Sequence, residues 1–93
     1  MDQVFQRLTW ARIRICRELA EGYSQPKIAH RLGMSVYGVR SSIEDLRDIT
    51  GISEASEIGR WWRKGGSIRY LRFVAREAGV DLRHLGSTLD EVD

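Results

Sequence analysis

The chain contains a single cysteine, Cys16, so an internal disulfide is excluded. A lone thiol fits a reducing cytoplasm. No stretch approaches the roughly 18 apolar residues needed to cross a bilayer, and no apolar signal segment opens the chain. Membrane insertion and secretion are therefore not expected. There is no glycine-rich phosphate loop, no cluster of metal ligands and no pair of carboxylates in a recognisable setting. His84 has no companion ligands at metal spacing, and Cys16 has no base beside it in any motif, so it reads as a small core residue. Neither an enzyme, a cofactor nor a metal is expected. No segment alternates polar and apolar residues convincingly enough to read as a strand.

What remains is 93 residues with 42% hydrophobic side chains and three tryptophans, the composition of one folded domain. A chain this short buries a limited core, and helical packing or a second copy would help it. The formal net charge is only +2 and by itself says nothing about nucleic acid. Its distribution says more. From Ile58 to Arg76 there is no Asp or Glu, while Arg60, Arg63, Lys64, Arg69, Arg72 and Arg76 all fall there, and acids gather in Asp90-Glu91-Val92-Asp93.

Residues 24–47 carry the clearest pattern. Ser24 can cap a helix by accepting one of its orphan N–H groups, and Pro26 falls in the first turn, where a missing donor costs little. Ile28, Ala29 and Leu32 recur at helical spacing. Gly33 stands where a left-handed residue would end the helix, and Met34 can plug the angle that follows. Ser35 can cap a second helix whose Val36, Val39, Ile43 and Leu46 point inward at intervals of three or four. Tyr37, Arg40, Ser41 and Glu44 then face outward. Upstream, Thr9 can cap a helix over residues 10–21, with Ile13, Cys16 and Ala20 in one apolar row and Ile15 and Leu19 in another. Gly22 ends it and Tyr23 packs inward. Residues 1–7 are a short lead in which Val4 and Phe5 can pack as an extra turn. Downstream, Thr50-Gly51 is a break. Ser53 can cap a fourth helix over residues 54–63, with acids near its start and bases near its end.

These residues carry a resemblance. Leu8-Thr9-Trp10-Ala11-Arg12, then Leu19-Ala20-Glu21-Gly22-Tyr23-Ser24, then Ile28-Ala29-His30-Arg31-Leu32-Gly33-Met34-Ser35, Gly38-Val39 and Gly51-Ile52-Ser53 stand in the order and spacing of the LuxR/GerE-type helix-turn-helix domain. Residues 8–62 resemble that family, and region 4 of sigma factors is similar over residues 24–47. The departures are specific. Gly38 replaces a usual Thr at about 1 kcal/mol of helix propensity. Arg12 stands where an acid would complete a capping box. Ser42 stands where His is frequent, and Asp48-Ile49-Thr50 replaces a basic residue and Leu. Glu44 stands where many members carry a base, and an acid there repels phosphate.

The resemblance implies an all-α fold: a small bundle of four to five helices containing a helix-turn-helix, with a C-terminal helical extension. It implies a cytoplasmic, nucleoid-associated regulator of transcription that binds double-stranded DNA, with residues 35–47 as the recognition helix. Tyr37, Arg40 and Ser41 would reach base edges, Arg40 best of the three because its fork matches both acceptors of guanine. The plainer account is an exposed helix face without a ligand. Ser24, Gln25, Lys27, Arg31 and Ser35 are phosphate candidates at helix starts, or else a solvated basic edge. The fourth helix resembles the one through which related domains pair, so Ile58, Trp61 and Trp62 are candidates for a homodimer or partner interface. Neighbours on a helix point about 100 degrees apart, so at least one of the two tryptophans fills the core, and Trp61 is the one assigned there.

Gly65-Gly66-Ser67 is the candidate boundary between a domain at residues 1–64 and an extension at residues 65–93. A fifth helix is expected over residues 68–78, lined on one side by Ile68, Leu71, Val74, Ala75 and Ala78. Its Arg69, Arg72 and Arg76 form a possible second basic face, or an ordinary wet one. Gly79 closes it, residues 80–85 can add a helical turn, and an acidic tail follows. The rival to DNA binding is a protein-interaction module that meets RNA polymerase or another regulator through the fourth helix and the C-terminal surface.

Overall fold

Three hydroxyls set the starts of three helices. In the computed structural model, which describes residues 2–79, Asp2–Gln6 forms α1 and Trp10–Ala20 forms α2. Gln25–Leu32 forms α3 and Val36–Thr50 forms α4. Thr9 Oγ1 accepts from the Arg12 N–H at 3.3 Å, Ser24 Oγ from Lys27 at 3.3 Å and Ser35 Oγ from Gly38 at 2.9 Å. Each bond satisfies a donor that the first helical turn leaves without a partner. At the far end of α3, Gly33 adopts φ 65 and the Met34 N–H turns back to the Ala29 carbonyl at 2.9 Å. That left-handed stop reverses the chain within three residues and delivers Ser35 to the start of α4.

α4 runs three residues past the expected Arg47. Ile49 is the cause: at 7% exposure it adds a further rung to the buried row Val39, Ile43 and Leu46. The Thr50 hydroxyl donates to the Leu46 carbonyl at 2.7 Å and accepts from the Ile52 N–H at 3.1 Å, and Gly51 at φ 74 ends the helix. Val36, expected to point inward, is instead 38% exposed, because the first turn of α4 projects beyond the core.

α2 lies at the centre and packs on α3, α4 and α5 (Ala55–Trp61). Ile15 and Cys16 on α2, Ile28 on α3, Val39, Ile43 and Leu46 on α4 and Ile58 on α5 are sealed from solvent. Burying each large aliphatic side chain stabilises the fold by about 1.5–3 kcal/mol before chain entropy is set against it. α5 approaches α2 so closely that a Cβ on Gly59 would run into the Leu19 carbonyl and lie 2.9 Å from the Ala20 nitrogen. Its start differs from the sequence expectation by one residue. Glu54, not Ser53, takes the extended capping conformation, and no side chain closes the turn; Glu57 and Ile58 N–H groups use the Glu54 carbonyl instead.

Beyond Trp61 the chain passes through a wide, π-type turn at Trp62–Gly66, kinked at Gly65 (φ 158, ψ −17), into α6 (Ser67–Glu77). The expected boundary is thus a bend, and both sides of it share one core. The Phe5 ring of α1 lies 6.4 Å from Trp61, 6.1 Å from Tyr70 and 5.9 Å from Phe73, and Trp62 lies 6.0 Å from Tyr70. This aromatic cluster shifts the expected inner face of α6: Ala75 is buried and Ile68 half-buried as expected, but Ala78 is exposed. Tyr70 and Phe73 face the core, while Leu71 and Val74 are each 41% exposed. The reason is the lead segment: α1 supplies an aromatic surface, and α6 turns its rings toward it.

The architecture is an all-α bundle of five helices with a C-terminal helical extension, and no strand occurs among the described residues. No described helix is long and apolar enough to cross a membrane. The helical turn expected over residues 80–85, His84 and the acidic tail lie outside the described residues.

Candidate nucleic-acid interface

The outward face of α4 is built by exclusion. Val39, Ile43, Leu46 and Ile49 anchor one side, so Tyr37, Arg40, Ser41 and Glu44, offset from them by helical geometry, stand in solvent. Tyr37 is 79% exposed, an unusual position for a ring of that size. Arg40 has no ion-pair partner among the described residues, so its guanidinium is available to a ligand. Ser35 is exposed, but its hydroxyl is engaged as the cap of α4, and Ser24 caps α3 in the same way.

Two acids behind that face are already matched. Arg7 holds Asp48 at 2.9 Å, and Arg12 holds Asp45 at 3.1 Å while donating to the Arg7 carbonyl at 2.8 Å. Both pairs are solvent-exposed and contribute little to stability. Their effect is on the field: Asp45 and Asp48 of α4 are neutralised from α2 and from the turn after α1, and Glu44 is left as the acid on the face itself. Arg12, which breaks the expected capping box, has this other role.

On α3, Lys27 is exposed and Gln25 half-buried. Arg31 is not free. Its Nε donates to Glu18 Oε1 at 2.7 Å, and its guanidinium sits 4.5 Å over the Tyr23 ring. The Glu18 hydrogen bond raises the Arg31 pKa above its ordinary value. Glu18 is the one buried charged residue among the described residues, at 7% exposure, and Arg31 compensates it. Arg31 is therefore first a strut between α2 and α3. The sequence hid this pairing because thirteen positions separate the partners; the hint was an acid at residue 18 between the apolar Ile15 and Leu19.

The expected interface on the fourth helix needs correction. Ile58 is fully buried and Trp62 is 7% exposed, both inside the chain's own core. Neither can meet another molecule without opening the fold. Trp61 is half-buried, stacked near Phe5, with a Cβ at Gly66 only 3.1 Å from its ring. Of the three candidates, it alone reaches the surface. Trp10 does so far more, at 71% exposure, and no pattern had marked it.

The bases of the later helices stand apart. Arg60, Lys64, Arg69, Arg72 and Arg76 are exposed, and Arg63 donates to the Ala20 carbonyl at 3.3 Å. Cys16 is sealed in the core, where burial pushes its thiol pKa up to about 12, so it is a poor nucleophile. Among the described residues no group of three or more His, Cys, Asp or Glu is arranged to hold a metal ion. No family model matches the chain, and neither a curated protein nor a solved structure matches it.

Proposed function

We propose that the protein binds double-stranded DNA, with α3 and α4 forming a helix-turn-helix and α4 entering the major groove as the recognition helix. The observation that carries this reading is the α4 surface: Tyr37, Arg40 and Ser41 lie exposed on a helix whose opposite side is fixed in the core. A rigid rod that presents a fork-shaped cation can bond both acceptors of a guanine. Ser24, Gln25 and Lys27 at the start of α3 would meet backbone phosphate and set the register, without reading sequence. The resemblance of residues 8–62 to LuxR/GerE-type domains supports the same assignment. A regulator of transcription acting as a homodimer on two-fold half-sites is the form this proposal takes.

The rival reading, a module that docks on RNA polymerase or another regulator, draws support from Glu44 on the exposed face and from the exposed Trp10 ring. Titration of a labelled duplex, selected from a random pool, separates the two. Arg40→Ala is expected to weaken binding by about 1–3 kcal/mol and to relax preference at one base pair. Absence of binding to any duplex at low salt would remove the DNA reading, and a non-palindromic selected site would remove the dimer.

A further inference from the structure

The charge of this protein is divided unevenly along the chain. Residues 1–57 carry eight Lys or Arg and eight Asp or Glu, so the part that includes α3 and α4 is formally neutral. Residues 58–79 carry six bases and a single acid, Glu77. The three ion pairs between described side chains use Arg7, Arg12 and Arg31, all in the first part. Arg60 and Lys64 have no such partner, and Arg69 uses only its Nε, toward the Gly65 carbonyl at 3.4 Å.

The kink at Gly65 turns this excess into a site. It sets α6 at an angle to α5, and Arg60, Lys64 and Arg69 come to line one open groove of about 310 Å³, with Ile52 and Trp61 beside them. Glu57 is the single acid on its rim. Three cations on one concave surface repel one another, and no carboxylate of the described residues offsets them apart from Glu57. Arg72 lies further along α6 and is also exposed, which extends the cationic strip beyond the groove.

We propose that this groove binds the phosphodiester backbone of nucleic acid and supplies most of the protein's salt-dependent affinity. A strip of separated cations suits a ligand with one negative charge at each regular step, and each phosphate neutralised releases condensed counterions. The stretch from Ser24 to Thr50 carries four bases against three acids, so it offers far fewer uncompensated cations than residues 58–79. The inference stands on the groove and the charge division; it does not need α4 to read sequence.

The test is a titration of labelled duplex and single-stranded DNA of arbitrary sequence between about 50 and about 200 mM salt. Three proteins are compared: the unaltered chain, Lys64→Gln/Arg69→Gln, and Arg14→Gln/Arg17→Gln. The two variants have equal net charge, and thermal melts establish that both are folded. Loss of Lys64 and Arg69 is expected to flatten the log–log salt slope by about 2, while the α2 pair leaves it within about 0.5 of the parent. Equal flattening by both pairs would show that only net charge matters and would overturn the site. So would an unchanged slope, or binding of poly-glutamate in place of DNA. Arg40→Ala is run alongside. If it has no effect while the Lys64/Arg69 pair does, the groove stands and the α4 reading falls; the converse result removes the groove alone.

Discussion

α2, α3 and α4 differ from α5 and α6 in how their sequence specifies them. Each of the first three begins at a Thr or Ser whose hydroxyl closes the opening turn, and a left-handed glycine follows each, at Gly22, Gly33 and Gly51. α5 and α6 begin with no side-chain cap, and a kinked turn runs between them. They are positioned by what they touch: Leu19 against Gly59, and Phe5 against Trp61, Tyr70 and Phe73. The early helices are set by local rules, and the late ones by partners forty or more residues away. A helix of the first kind loses a fixed increment when its signal is removed. A helix of the second kind loses its place.

That contrast can be broken in three ways. The largest effect is expected from Phe5→Ala, which removes the ring shared by α1, α5 and α6. It should cost about 3 kcal/mol in urea unfolding, and amide exchange should rise in α6 before it rises in α3 or α4. Uniform loosening of all helices would contradict the division. A smaller effect is expected from Ser35→Ala, about 1 kcal/mol, because one N–H at the start of α4 loses its acceptor. Glu54→Ala should cost almost nothing by comparison, since its side chain caps nothing. Equal losses at the two positions would show that α5 has a local signal after all.

A small effect of pH sharpens the picture of the shared core. Burial raises the Cys16 thiol from 9.0 to about 12, so the folded state holds this proton while the unfolded chain releases it. Below pH 9 both states are protonated and the thiol adds no pH dependence; above it stability should fall, until both forms ionise near pH 12. At about pH 9.5 the loss should be under about 1 kcal/mol. Cys16→Ala should lack this component, and a thiol-alkylating reagent at neutral pH should label the unaltered chain only as fast as it unfolds. Rapid labelling under native conditions would show that the centre of α2 is open.

The same division explains how much could be read from the sequence. The helices over residues 10–50, their caps at Thr9, Ser24 and Ser35 and the exposed set Tyr37, Arg40 and Ser41 follow from spacing and turn chemistry, which act within a few residues. α6 could not be read this way. Of its apolar row, Ile68, Leu71, Val74, Ala75 and Ala78, only Ala75 is fully buried, and Phe5 draws in Tyr70 and Phe73 instead of Leu71 and Val74. Trp62 stayed open as an interface candidate for the same reason: the turn that buries it lies against α6, and it is Trp62, more than Trp61, that fills the core. Arg31 looked like a phosphate contact because its partner Glu18 lies on another helix. The charge division was written in the sequence throughout, but only the bend at Gly65 gathers Arg60, Lys64 and Arg69 around one hollow.

Gly59 has a consequence for that hollow. With backbone pressed against backbone, α5 has no freedom to roll or slide along α2. The wall of the hollow that carries Arg60 is therefore held against the central helix by a missing side chain. One added methyl at residue 59 would push that wall outward and change the width of the hollow.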